Sequence, residues 1–168
     1  DRAGRRDSGS SRGRAHPDLR PRDLILWLTE DLPGSGGKLR PEPECFVVDE
    51  VLAYAPSGAG EHVLVRIEKT GMTTPEAIAR IAKAARVPPG QIGAAGFKDK
   101  DARARQWLSF PWPVRSALPA LEGAESEALH VLEAARHNAK LRRGHQRGNR
   151  FAITIREVPA GGCDRARA

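Results

Sequence analysis

Alternation of apolar and polar residues predicts most of the regular structure in this chain. A period of two, or enrichment in β-branched and aromatic residues, predicts strands at residues 45–52, 62–69, 92–95, 105–110 and 151–156. Residues 128–134 fit a strand, although their pattern is also compatible with a helix. A Ser- and Gly-containing turn at residues 57–60 separates the first two strands and predicts that they form a hairpin.

One segment has the spacing and the terminal residues of an amphipathic helix. Thr74 can cap its first turn, Pro75 suits the first helical position, and Glu76 favours the positive end of the helix dipole. Apolar residues then recur at helical spacing, at Ile78, Ile81, Ala82 and Ala85. The sequence VPPG at residues 87–90 ends the helix.

Strands with interspersed helices and mostly short connections predict one mixed sheet of the α/β or α+β class. Residues 1–21 are rich in Arg, Gly, Ser and Pro with hardly an apolar side chain, so we expect a disordered basic tail there. Order should begin near residues 24–28, and residues 22–168 should form one domain. Residues 163–168 resemble the opening of a further polar helix, which suggests a longer parent chain.

Composition narrows the class of protein. The chain has 168 residues, 39% of them apolar and 29% charged, and no apolar run reaches the roughly 18 residues of a membrane helix. Cys45 and Cys163 are far apart and form no CxxC pair. Together with the absence of an export signal, this predicts a reduced cytoplasmic protein. The net charge of +7 favours an anionic partner.

The densest positive segment is residues 136–150, which contains six Arg or Lys residues and no acid. Its glycines, Gly144 and Gly148, predict a turn-rich loop whose arginines could bind phosphates. Polar residues such as Asn149 interleave with the arginines and suit single-stranded or shaped RNA. A solvated basic loop without a ligand is the alternative on composition alone.

A second segment of interest is GFKDK at residues 96–100, where small residues precede Asp99 and lysines flank it. An ionised, positioned carboxylate can act as a nucleophile or a general base. On spacing alone, however, an aspartate in such a turn more often stabilises the turn itself. The sequence contains no P-loop, dinucleotide-binding, zinc-binding or Ser-His-Asp pattern, so those classes are not supported.

Four blocks of the sequence, in order and at matching spacing, resemble the TruD family of tRNA pseudouridine synthases. They lie at residues 36–50, 60–69, 96–107 and 136–151, and the resemblance extends over about residues 24–158. Two positions depart from the family pattern, since Arg40 replaces a lysine and Cys45 replaces an aspartate. Arg40 keeps the positive charge but not the geometry of an ammonium group.

The resemblance implies a pseudouridine synthase fold, a mixed and mainly antiparallel sheet with flanking helices. It implies an isomerase that acts on tRNA, at position 13 in the family's usual substrates, as a monomer without cofactor, metal or membrane. Asp99 would be the nucleophile, attacking either C1′ of the ribose or C6 of the base. The substrate-binding residues that it implies are Phe46, Asn149, Phe151, Lys98, Arg40, Lys140, Arg143 and Arg147.

Complete members of the family are about twice as long as this chain. We therefore expect the N-terminal part of a catalytic domain, weakly active or inactive alone. A non-catalytic RNA-binding module and an inactive fragment are the alternatives.

Overall fold

A computed structural model of the protein describes residues 34–39 and 42–165. The strands are β1 (Lys38–Leu39), β2 (Phe46–Leu52), β3 (His62–Lys69), β4 (Gly93–Ala94), β5 (Arg103–Pro111), β6 (Leu129–His137), β7 (Gln146–Ile153) and β8 (Ile155–Arg156). The α-helices are α1 (Thr74–Ala85) and α2 (Gly162–Arg165), and short 3-10 turns occupy Pro43–Cys45, Pro89–Gln91 and Glu122–Ala124.

The main sheet has the strand order β6-β3-β5-β2-β7, and β4 pairs with β5 beside β2. Among the strand pairs of the described residues, only β2–β5 is parallel; the pairs β2–β7, β3–β5, β3–β6 and β4–β5 are antiparallel. β1 and β8 form a separate two-stranded ribbon. The sheet and its flanking helices confirm the predicted mixed, mainly antiparallel α+β fold.

The predicted hairpin between β2 and β3 is wrong, because β5 lies between these strands and pairs with both. β5 is almost entirely buried, so its backbone groups need ladder partners on both sides. The connection from β2 to β3 therefore crosses the end of an intervening strand. Asp49 still reaches Arg66 across β5, with 2.9 Å between carboxylate and guanidinium.

α1 begins one residue earlier than its predicted cap implies, with Thr73 at the N-cap position. The Thr73 hydroxyl accepts the amide of Glu76, and the Glu76 carboxylate accepts the Thr73 amide at 2.7 Å, which completes a capping box. Thr74 can therefore bond outside the helix. The apolar stripe of α1 packs on β3 and β5, where Ile81 is fully buried and contributes about 2 kcal/mol of transfer free energy.

Two boundaries in the second half of the chain differ from the sequence prediction. Residues 146–150 belong to β7 and not to a loop, so the basic loop is confined to residues 138–145. The predicted strand at 151–156 is interrupted at Thr154, which belongs to neither β7 nor β8, although its amide donates to the Cys45 carbonyl at 2.8 Å in the register of β2 and β7. The predictions for residues 1–21 and 24–28 lie outside the described residues, as do residues 166–168 of the predicted C-terminal helix that α2 begins.

Candidate active site and RNA-binding surface

Asp99 lies on the segment that joins β4 to β5, and its side chain is exposed. One carboxylate oxygen, Oδ1, accepts the backbone amide of Asp101 at 3.0 Å. Asp99 thus makes the turn contact that its local sequence favours. A carboxylate has about four acceptor positions, so this bond leaves most of its capacity for a substrate.

The backbone around Asp99 is fixed from two sides. The amide of Lys98 donates to the Thr74 hydroxyl at 3.0 Å, and that hydroxyl donates to the Gln106 side chain at 2.9 Å. The ammonium of Lys69 donates to the Asp99 carbonyl at 2.7 Å and to the Met72 carbonyl at 2.6 Å. Lys69, Thr74 and Gln106 are all buried. The start of α1 and the end of β3 therefore hold this segment in place.

Lys98 points into the protein and forms an ion pair with Glu50 of β2. The two side chains are only 5% and 0% exposed, and Glu50 also accepts the Trp107 amide at 3.0 Å. Trp107 lies where β5 changes ladder partner from β2, at Arg105, to β4, at Leu108. The Glu50 carboxylate therefore accepts the Trp107 amide at the point where β5 passes from β2 to β4. The same carboxylate balances the positive charge of Lys98.

The residues of β2 that alternate with Glu50 share its face of the sheet, and so do their ladder partners. Asn149 is directly opposite Glu50 on β7, and the Asn149 Oδ1 atom is buried without a hydrogen-bond partner among the described residues. Phe46 and Phe151 project from the same face and stack with their ring centroids 6.2 Å apart. Phe151 is 59% exposed, so its ring is open to a ligand.

The same face continues through Val48 and Ala104, which are paired in register, to Lys69 of β3. The Asp99 segment, bonded to Lys69 and linked through Lys98 to Glu50, therefore lies over this face. The Asp99 segment, Lys98, Phe46, Asn149 and Phe151 thus lie on one side of the sheet.

The basic loop supplies some of the predicted phosphate-binding residues. The Arg143 guanidinium lies 5.2 Å from the ring centroid of Phe97, a 61%-exposed aromatic residue two positions before Asp99. Lys140 donates to the Gly90 carbonyl at 3.3 Å, and Arg147 is exposed on β7. Arg40 lies outside the described residues.

Arg136 has a structural role and not the phosphate-binding role expected for this basic segment. Its guanidinium donates to four backbone carbonyls, at 2.5–3.4 Å, on Gly60, Trp112, Pro113 and Ser116. Three of these bonds join the end of β6 to the connection after β5, and the bond to Gly60 joins it to the connection before β3. With four of its N–H donors bonded to carbonyls, this guanidinium has little capacity left for a phosphate.

An aromatic cluster supports the base of the loop at residues 138–145. The Tyr54 ring stacks on His137 at a centroid distance of 5.0 Å, and its hydroxyl bonds to His145 Nδ1 at 2.8 Å. Burial, with a smaller contribution from His62, lowers the pKa of His137. The neutral His137 ring accepts the Ser57 amide at 3.2 Å.

Sequence reasoning missed Glu50, Lys69 and Thr74. A signal for Lys69 was available, since it continues the period-two series of buried residues Val63, Val65 and Ile67. Glu50 ends the first block of the family resemblance and Thr74 begins the predicted helix, but their roles at this site were not predictable because their partners are distant in sequence.

Among residues 34–39 and 42–165, no group of three or more His, Cys, Asp or Glu side chains could hold a metal ion. Cys45 and Cys163 are both free thiols. No helix in the described part of the chain is long and apolar enough to span a membrane.

The fold places the chain among pseudouridine synthases. A similar fold occurs in the crystal structure of a candidate tRNA pseudouridine synthase D (TruD) from Methanosarcina mazei, with a TM-score of 0.69 and 26% identity. The match covers 86% of this chain and 32% of that chain. A family model described as tRNA pseudouridine synthase D (TruD) matches residues 25–168, and the chain belongs to this family.

Similar proteins named tRNA pseudouridine synthase D occur in several bacteria. The protein from Anaeromyxobacter dehalogenans strain 2CP-C is 54% identical over 144 residues, which cover 86% of this chain and 39% of the relative. A protein from Thermus thermophilus is 48% identical over 142 residues, covering 84% of this chain and 39% of the relative. The chain therefore spans about two fifths of the length of these relatives.

Proposed function

We propose that the complete protein containing this chain isomerises a uridine of tRNA to pseudouridine, with Asp99 as the nucleophile. The observation that carries the proposal is the position of the Asp99 segment, held by buried side chains on the face of the sheet that also bears Asn149 and Phe151. The family's usual target, position 13 of certain tRNAs, is the proposed site of modification, and the cytoplasm is the proposed location.

Asp99 attacks the target nucleotide at C1′ of the ribose or at C6 of the base. The bond between C1′ and N1 breaks, the uracil turns within the pocket, C5 bonds to C1′, and the bond between Asp99 and the nucleotide breaks, which restores the free carboxylate. C5 then loses its proton and N1 gains one, so the product is an isomer of the substrate. The reaction therefore needs no external oxidant, reductant or group donor.

The pocket must retain a uracil that is detached during the reaction. Asn149 supports this role because its buried Oδ1 has no partner among the described residues and can accept the N3–H of uracil. Its NH2 group can at the same time donate to a carbonyl oxygen of the same uracil. The exposed ring of Phe151, backed by Phe46, offers a stacking surface. Stacking of a base on an aromatic ring contributes on the order of 1–3 kcal/mol.

Basic side chains elsewhere in the chain would bind the tRNA backbone. Arg143 and Arg147 are exposed, and Lys140 and Arg40 extend the positive charge along the chain. The target nucleotide must leave its stack to reach Asp99, and phosphate contacts on both sides of it would stabilise that state. Lys98 contributes indirectly, since its pairing with Glu50 fixes the backbone beside Asp99.

The decisive experiment is an Asp99→Asn change in the complete protein, with pseudouridine measured in tRNA after single-turnover reaction. The substitution keeps the turn acceptor for the Asp101 amide but removes the nucleophile, so we expect a loss of at least about 1,000-fold in rate. Binding of tRNA should persist.

Asp101→Asn is the matched control, since Asp101 is an exposed aspartate only two positions away. We expect its rate to stay within about threefold of the wild type. Undiminished turnover in Asp99→Asn would refute the nucleophile assignment. Binding of tRNA without turnover in the wild type would favour a non-catalytic RNA-binding module.

A further inference from the structure

Lys69 is a fully buried cation at the end of β3. The alternation of β3 directs Val63, Val65 and Ile67 into the core, and Lys69 follows at the next inward position with 0% exposure. Burial of an ammonium is costly unless its hydrogens are bonded, and an apolar residue here would extend the core without that cost. The position of Lys69 therefore calls for an explanation beyond packing.

The contacts of Lys69 connect it to the nucleophile. Its Nζ donates to the Asp99 carbonyl at 2.7 Å and to the Met72 carbonyl at 2.6 Å, which ties the Asp99 segment to the turn before α1. Thr74 holds the Lys98 amide of the same segment. The backbone from the Lys98 nitrogen to the Asp99 oxygen is thus fixed at both ends.

Among the described residues, the charge of buried Lys69 is less compensated by an opposite charge than that of buried Lys98. Lys98 is paired with the Glu50 carboxylate, whereas the hydrogen bonds of Lys69 in the described residues go to carbonyl oxygens. Burial lowers the pKa of Lys69, and the negative charge of Asp99 opposes this shift. The ammonium and the Asp99 carboxylate therefore interact through space.

We propose that Lys69 is a positioning residue for Asp99, which fixes the backbone that carries the nucleophile and supplies a positive charge beside it. The inference rests on the proposed function, in which Asp99 attacks the uridine. Lys69 does not touch the substrate in this role. Its loss should therefore lower kcat and leave substrate binding nearly unchanged.

The test is Lys69→Met in the complete protein, assayed for kcat and KM with tRNA. Met has similar length and suits a buried site, so the change removes the charge and both hydrogen bonds at nearly constant shape. A displacement of a reacting group by about 1 Å can reduce the rate by about 100-fold, and we expect kcat to fall by about 30- to 100-fold with KM within about threefold.

Lys69→Gln is the second variant, since its shorter amide can still donate to a carbonyl and should give an intermediate kcat. Lys83→Met is the matched control, the same substitution at an exposed position near the end of α1, and should leave kcat unchanged. The unfolding midpoint of each variant establishes that it is folded at the assay temperature. If Lys69→Met does not fold, Lys69→Gln decides the test.

A folded neutral variant with kcat within threefold of the wild type would overturn the proposal, as would a loss confined to KM. Asp99→Asn, measured in parallel, distinguishes a failure of the proposed role of Lys69 from a failure of the proposed function. If Asp99→Asn is inactive and Lys69→Met is fully active, only the role of Lys69 fails. If Asp99→Asn is active, the proposed function itself fails.

Discussion

Removal of one partner from the buried Lys98–Glu50 pair should destabilise the protein more than any surface charge substitution. In Lys98→Met, the Glu50 carboxylate remains at 0% exposure and keeps the Trp107 amide of β5 as a donor, but it loses the balancing charge. An uncompensated buried charge of this kind costs about 3–5 kcal/mol. Since whole domains are stable by about 5–15 kcal/mol, the expected loss is a large share of the total.

Urea unfolding followed by tryptophan fluorescence measures this cost. With a denaturant slope of about 2 kcal/mol per molar, a loss of about 4 kcal/mol lowers the midpoint by about 2 M. Arg103→Met is the control, because its ion pair with Glu44 is exposed at 37% and 57% and should be worth about 0–1 kcal/mol.

The double variant Lys98→Met/Glu50→Gln tests whether the unpaired charge of Glu50 causes the loss of stability. Gln keeps an acceptor for the Trp107 amide and removes the unpaired charge, so about 2 kcal/mol or more of the loss should be recovered. The reasoning is refuted if Lys98→Met is no less stable than Arg103→Met. It is also refuted if the double variant is as unstable as Lys98→Met.

Three further changes probe the proposed RNA-binding residues and the aromatic cluster of Tyr54, His137 and His145. Arg147→Gln should reduce the slope of log affinity for tRNA against log salt concentration by about one, measured by filter binding, if Arg147 contacts one phosphate. Phe151→Ala should lower kcat/KM by about 5- to 150-fold with little change in the urea midpoint, because its ring is 59% exposed. Burial lowers the pKa of His137 below its ordinary value of 6.5, so the unfolded chain binds a proton at this residue more readily than the folded chain does. The free energy of unfolding should therefore fall as the pH drops from about 7.5 to about 5.5. His137→Gln should reduce this pH dependence of the unfolding midpoint.

The strands were largely predictable because their signal is local. Residues 62–69 alternate within a single element, and the structure gives a strand with these bounds. The order of the strands was not predictable, because the insertion of β5 between β2 and β3 depends on pairings between residues far apart in the chain. The misplaced helix cap has a similar cause, since Thr74 is used by Lys98, 24 residues later.

The residues of the candidate site could be named from the sequence, but their contacts could not. Asp99, Asn149 and Phe151 were named from family motifs, and whether they perform the chemistry stays a prediction. Lys98 flanks Asp99 in the sequence, yet its ammonium is turned inward to Glu50. Arg136, in the most basic segment, proves to bind backbone carbonyls. Charge can be counted in a sequence, but its partners are set by the fold.

The buried polar residues themselves argue for the location of the site. Those in the described part of the chain are Glu50, Lys69, Thr74, Lys98, Gln106, Ser109 and His137. The first five form one connected set of contacts around the Asp99 segment. An apolar set of similar volume would commonly be as stable or more stable. Their concentration beneath one exposed carboxylate is therefore better explained by a need to hold that carboxylate in place than by stability.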